Sequence, residues 1–153
     1  MGHVRQTIHV DAPIEACWDL STDLKRMTEW QSGLLEVKDV IGSPDTVGSQ
    51  YTPVYRIAGR TLEGALEVTR VEKPNLIETK GRLAGGGRAT GTTRFAPSGS
   101  GTDITTELDY ELPGGVLGGI VDKAFMERQI ERELKHSAET YKDLLEAKVP
   151  AHV

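Results

Sequence analysis

The strongest periodicity in the chain lies in its last third. With Leu134 set at zero and about 100° per residue, Val116, Ile120, Ile130, Ala138, Tyr141 and Leu145 fall within roughly 40° of it. Glu131, Arg132, Lys135, Glu139 and Lys142 fall outside that stripe, so one long amphipathic helix is expected, about 40 Å in length. Glu127 falls inside the stripe. A carboxylate facing a solid core costs several kcal/mol unless paired, so the N-terminal half of the helix is expected to face a wet or ligand-filled space.

Upstream the pattern shifts to period two. His3 to Val10 alternates as a strand, and Asp11-Ala12-Pro13 then opens a helix to about Leu20, with Asp11 as its cap and Ile14, Cys17 and Trp18 as its buried stripe. A second short helix is expected around Leu24 to Trp30. Strand patterns follow near Leu34 to Ile41, Ser49 to Ile57, Arg60 to Val71, Leu76 to Leu83, Arg88 to Ala96 and Thr102 to Leu112, with a turn-rich break from Gly42 to Gly48. The glycine run Gly85-Gly86-Gly87 with Gly91 fits neither phosphate-binding fingerprint, because Thr90 and Gly87 stand where a glycine and a lysine are needed; it reads as a hairpin tip.

A tight turn at Ala58-Gly59 sets a register. Ile57 then faces Arg60, Tyr55 faces Leu62, Pro53 faces Gly64 and Tyr51 faces Leu66. One side carries Tyr51, Tyr55, Leu62 and Leu66; the other carries Gln50, Thr52, Arg56, Thr61, Glu63 and Glu67 and suits water. Pro53 removes a ladder donor, so a bulge is expected beside it. The last strand sets Thr102, Ile104, Thr106, Leu108, Tyr110 and Leu112 against Asp103, Thr105, Glu107, Asp109 and Glu111. An antiparallel sheet with one polar face and one mixed apolar face, crossed by a long helix, forms a grip around a cavity.

Composition fits one container. At 153 residues the chain is of single-domain size, with residues 1–148 as the domain and 149–153 as a short tail. Aromatics at 5% and 17 glycines do not suit a dense aromatic core. A net charge of −5 argues against a nucleic-acid partner. The single Cys17 excludes an internal disulfide and any multi-cysteine metal site, and leans toward the cytoplasm. No long apolar run is present, and Gln6 stands where a myristoylation site needs Ser or Thr, so no stable membrane anchor is expected.

Val10-Asp11-Ala12-Pro13, Trp18-Asp19, Asp23 and Trp30 resemble the opening of the START-like, Bet v 1-like (SRPBCC) superfamily, specifically its bacterial polyketide cyclase/dehydrase and lipid-transport group. Val47-Gly48, Val71-Glu72-Lys73-Pro74, Gly101-Thr102 and Leu117-Gly118-Gly119-Ile120-Val121-Asp122 extend the resemblance along essentially the whole chain. It implies an α+β helix-grip fold, a seven-stranded antiparallel sheet wrapped around the C-terminal helix, with two short helices between the first two strands. Relatives bind lipids, carry quinones, cyclise polyketides or assist other proteins, so the fold alone does not choose the function.

Catalytic chemistry is sparse. His3 and His9 share a strand face at roughly 20 Å, too far apart for one metal ion. His136 and Glu139 lie off the apolar stripe, His152 sits in the tail, and Cys17 reads as a buried structural thiol. Lys123 and Glu127 have the spacing of a helical ion pair. The expected function is binding of a hydrophobic or amphipathic small molecule (lipid, polyketide or quinone-like) between sheet and helix, without cofactor or metal, by a monomer or homodimer. The candidate ligand-binding residues are Trp30, Tyr51, Tyr55, Leu62, Leu66, Thr106, Leu108, Tyr110, Ile120, Glu127 and Ile130. The alternatives are an aromatase/cyclase-type enzyme that uses Tyr or Glu to move protons, and a protein-interaction module on the same fold.

Overall fold

A computed structural model describes residues 2–57, 59–83, 86–111 and 123–147. Strand β1 (Gly2–Val10) is followed by helix α1 (Ile14–Ser21), a 3-10 turn (Leu24–Arg26) and the single-turn helix α2 (Met27–Trp30). Strands β2 (Leu34–Ile41), β3 (Gln50–Ile57), β4 (Arg60–Glu72), β5 (Leu76–Leu83), β6 (Arg88–Ser98) and β7 (Gly101–Glu111) come next, and helix α3 (Lys123–Glu146) ends the fold. The strands form one antiparallel sheet in the order β1-β7-β6-β5-β4-β3-β2. This is the helix-grip fold, and the strand bounds read from alternation hold to within a few residues. Among the described residues no helix is long and apolar enough to cross a membrane. Residues 112–122, which hold Val116 and Ile120, lie outside the description, as does Ala58.

The hairpin register is as the alternation requires: Ile57 faces Arg60, Tyr55 faces Leu62 and Tyr51 faces Leu66. Pro53 keeps regular pairing with Val37, and the irregularities fall on β2 instead, between Leu34 and Glu36 and between Lys38 and Ile41. A strand at the sheet edge bulges at less cost than one bonded on both sides, which corrects the bulge expected in β3.

Asp11 does not cap α1. The cap position is Pro13, whose carbonyl accepts from the N–H groups of Ala16 and Cys17. The Asp11 carboxylate instead lies 3.0 Å from His9 Nε2, while Asp103 lies 2.7 Å from His9 Nδ1. Both ring nitrogens therefore point at carboxylates, an arrangement only the doubly protonated imidazolium satisfies fully. His3 makes a matching 2.7 Å contact with Asp109, and Thr7 with Thr105 at 3.0 Å, so the polar face of the β1–β7 pair is a ladder of complementary rungs.

One end of the grip is solid. Val10, Ala12, Cys17, Trp18, Leu20, Phe95, Ile104, Tyr141 and Leu145 form a single buried cluster that joins α1 and the C-terminal half of α3 to β1, β6 and β7. Trp18 meets Phe95 edge-on at 5.5 Å, and Trp30 meets Tyr141 at 5.0 Å. The Tyr141 hydroxyl donates to the Cys17 carbonyl at 2.5 Å and lies 2.9 Å from Ser21 Oγ. Polar pins close the helix end: Lys142 Nζ donates to the His9 carbonyl, and Asp11 N–H donates to Glu146.

The buried face of α3 is rotated from the expected stripe. Met126, Ser137, Tyr141 and Leu145 are its most buried side chains, and at about 100° per residue their mean direction lies roughly 40° from Leu134. Glu127 therefore sits on the flank of the buried face, half-exposed, rather than at its centre. The rotation follows from hydrogen bonds on the other flank. Ser32, in the α2–β2 connection, bonds Glu133 through its hydroxyl and Ser137 Oγ through its N–H at 2.8 Å.

Two outcomes follow. Replacing Tyr141 with Phe orphans the bond to Cys17 and should lower stability by about 1–2 kcal/mol in chemical denaturation. The paired carboxylates hold His9 above the ordinary histidine value of 6.5, Asp103 contributing most. A raised folded pKa gives stability that is fully present below the unfolded value and is lost as pH rises through the folded one. The melting-temperature advantage of wild type over His9→Gln should therefore be largest in mildly acidic buffer and shrink in alkaline buffer; an advantage that grows with pH would contradict the pairing.

Candidate ligand-binding site

Beyond the solid cluster, the inner face of the sheet changes character. Cross-strand partners form a row running Tyr51, Leu66, Gly81, Ala89, Tyr110 and Gly2 from β3 to β1. The next row carries Val68, Thr79, Gly91, Leu108 and Val4, and the one after it Ile77, Thr93, Thr106 and Gln6. On the hairpin side Leu34, Tyr55 and Leu62 form a further row. Gly64, Gly81, Ala89 and Gly91 thus place almost no side chain in the middle of this face. At Gly81 an added Cβ would meet only backbone, at 3.2 Å from the Ala65 carbonyl.

The tyrosines stand at the two ends of this small-residue strip. Tyr51 and Tyr110 are buried at 8% and 7% exposure, and Tyr55, Leu62, Leu66, Thr106 and Leu108 are partly buried. Burial pushes the Tyr51 hydroxyl up, with a smaller effect of Tyr55, and pushes Tyr55 up as well. Neither hydroxyl has a hydrogen-bond partner among the described residues. The Tyr110 ring crosses β1 at Gly2, where a Cβ would come within 2.1 Å of Cζ, so glycine is what lets the ring seat. Its hydroxyl is raised first by burial and then by the negative charges of Glu127 and Glu131, which places those two carboxylates near it.

From α3, Ile130 and Glu127 are partly buried, and Met126 is buried at 2% exposure. Trp30 stands apart from the other candidates. It packs against the solid cluster through Tyr141, and its Nε1 is buried without a hydrogen-bond partner among the described residues. Ile120 and the Lys123 side chain, expected to pair with Glu127, are outside the described residues. Sequence reasoning missed Met126 and the glycine strip. The strip was detectable, since Gly64, Gly81, Ala89 and Gly91 share the parity of the inner face.

Burial sets the protonation of the titratable side chains here. Tyrosine hydroxyls raised by burial stay protonated at neutral pH, so they donate and accept hydrogen bonds without serving as bases. Burial likewise pushes the Cys17 thiol up, away from the reactive thiolate. No group of three or more His, Cys, Asp or Glu among the described residues is placed to hold a metal ion.

The chain matches the family described as polyketide cyclase / dehydrase and lipid transport over residues 1–146. A START superfamily protein from Mycobacterium smegmatis superposes with a TM-score of 0.78 at 17% identity, covering 96% of this chain and 99% of that one. TTHA0849 from Thermus thermophilus gives 0.70 at 23% identity, covering 92% and 97%. Ara h 8.0201 gives 0.70 at only 6% identity, covering 95% and 98%. At these identities the structural likeness speaks for the fold alone, and no curated protein matches the chain. The match over residues 1–146 makes this chain a member of the polyketide cyclase / dehydrase and lipid transport family, and its architecture is the helix-grip fold of the START and Ara h 8 structures.

Proposed function

We propose that the protein binds a hydrophobic or amphipathic small molecule, a lipid, polyketide or quinone-like compound, in an internal cavity between the inner face of the sheet and the N-terminal half of α3. The observation that carries this reading is the pair of enclosed tyrosine hydroxyls, without partners among the described residues, beside a strip of glycine and alanine. The two hydroxyls keep accessible surface, so a ligand or bound water can reach them and complete their hydrogen bonds.

In this reading Leu62, Leu66, Leu108 and Ile130 supply the apolar wall, Thr106 and the tyrosines orient the ligand, and Glu127 stands at the rim. Trp30 closes the end against the solid core. Burial of apolar ligand surface, at about 25 cal/mol per Å², supplies most of the affinity. No cofactor is needed. The net charge of −5 sets the protein against nucleic acid, and the single buried Cys17 suits the cytoplasm.

A cavity-filling change tests the location. Gly81→Val puts a branched side chain into the strip and crowds the Ala65 carbonyl, so it should lower the melt somewhat, and the variant that is still folded by circular dichroism should take up a fluorescent hydrophobe about tenfold or more weakly. Unchanged uptake by a folded variant would place the ligand elsewhere.

A paired measurement separates carrier from catalyst. Tyr55→Phe and Tyr110→Phe should each weaken binding of an inert aromatic polyketide mimic by about 1 kcal/mol, with no turnover of a poly-β-ketone by wild type. Robust turnover abolished by either substitution would establish the cyclase reading in its place.

A further inference from the structure

The inner face of the sheet is electrically plain. None of its described rows carries a charged side chain, because Lys80, Arg82 and Arg88 alternate with Gly81 and Ala89 onto the polar face, where Arg88 meets Glu111 at 2.9 Å. Arg60 shares the inner parity but stands exposed at the tip of the β3–β4 hairpin. Among the described residues, the charge that borders the space between sheet and helix comes from α3, and it is negative.

Two pins fix where that charge falls. Lys142 Nζ donates to the His9 carbonyl at 2.9 Å and Gln6 Nε2 to the Leu134 carbonyl at 3.1 Å, so α3 runs beside β1 in the same sense. From Gln6 back to Gly2 is about 13 Å of strand, matched by about nine residues of helix, which brings Gly2 level with the first turns of α3. Lys142 marks the helix flank that faces β1. At about 100° per residue Glu131 lies about 20° from it and Glu127 about 60°, so both carboxylates lean over the β1 side. There Tyr110 pairs with Gly2, its ring crossing the strand with the hydroxyl 2.5 Å from where a Gly2 Cβ would stand.

Tyr110 is more than nine-tenths buried, and its hydroxyl has no hydrogen-bond partner among the described residues. The charges of Glu127 and Glu131 both act on that hydroxyl, yet neither carboxylate bonds it. Glu127 is partly buried, and its described neighbours along the helix are Ala124, Ile130 and Glu131, none of them cationic. The basic neighbours of Glu131, Arg128 and Lys135, are exposed on its solvent side. Neither carboxylate makes an ion pair within 4.0 Å among the described residues, and as like charges one turn apart they repel.

We infer that the ligand of the cavity carries a protonated amine, seated between Glu127, Glu131 and the Tyr110 hydroxyl while its apolar body lies along the glycine strip. The inference rests on the binding reading above and names the ligand class. An ammonium group has donors for all three oxygen partners and no acceptor, and its charge relieves the repulsion between the carboxylates. An anionic head group meets two negative charges at the same place and no cation on the inner rows, so anionic amphiphiles are selected against.

The test competes three ligands of equal chain length, dodecylamine, dodecanol and dodecanoate, against a fluorescent hydrophobe at neutral pH and below their micelle concentrations. The amine should displace the probe at a concentration about tenfold or more below that of the acid, with the alcohol between, and added salt should narrow the gap. Glu127→Gln with Glu131→Gln should bring amine and acid together, and Glu127→Lys with Glu131→Lys should reverse their order, with circular dichroism confirming each fold. Glu139→Gln, farther along the same helix, should keep the wild-type order. If the acid binds as well as the amine or better, or the preference survives the double Gln substitution, the inference falls while displacement by the alcohol keeps the cavity. If neither the probe nor any of the three binds, the binding reading falls and this inference with it.

Discussion

The fold depends on how the last turns of α3 are seated. Tyr141 and Leu145 enter the same buried cluster as Trp18, Phe95 and Val10, and the Tyr141 hydroxyl is spent on the Cys17 carbonyl of α1. Around this apolar contact, Lys142 and Glu146 grip the backbone where β1 turns into α1. A helix of 24 residues held so firmly at one end acts as a rigid arm about 36 Å long. Its direction is set by the anchored half. The free half needs only to be kept at the right height above the sheet, which is done at its flanks: Gln6 donates to the Leu134 carbonyl on one side, and Ser32 bonds Glu133 and Ser137 on the other.

That division of labour explains why polar groups can occupy the inner face at all. Near the anchor the inner positions are Val10, Ile104 and Phe95, fully buried and closely packed. Toward the far end they become Gly64, Gly81, Ala89 and Gly91, with Tyr51, Tyr55 and Tyr110 around them. A core built this way would be a poor stabiliser, since glycine buries nothing and an unpaired hydroxyl loses its hydration. The sheet can carry such residues because its stability comes from the other half and from the seven-stranded antiparallel ladder. The proposed binding function and the lopsided core are two descriptions of one arrangement.

Much of this was legible in the residues. Period-two alternation located every strand, and the two-residue turn at Ala58-Gly59 gave the facing pairs of β3 and β4 because side-chain parity leaves no intermediate register. The helix was legible as an element, but not its rotation. An angular stripe weighs all apolar residues alike, whereas the true orientation is set by Ser32 bonding Ser137 and Glu133, residues no hydrophobic pattern counts. Asp11 misled for a related reason: an acid before a helix reads as a cap, yet the nearby His9 offered it a partner across the strand end. The glycine strip carried its signal in parity alone, and glycine is read first as a turn residue.

The central claim is that the free half of α3 and the small-residue strip enclose a ligand. Native mass spectrometry of the protein purified gently from its own host tests it most directly, since a hydrophobe bound in an enclosed site survives transfer to the gas phase. The account predicts an adduct of small-molecule mass that denaturation releases and that Gly81→Val fails to retain. A bare protein mass, together with no uptake from a panel of lipids, quinones and aromatic polyketides, would contradict it.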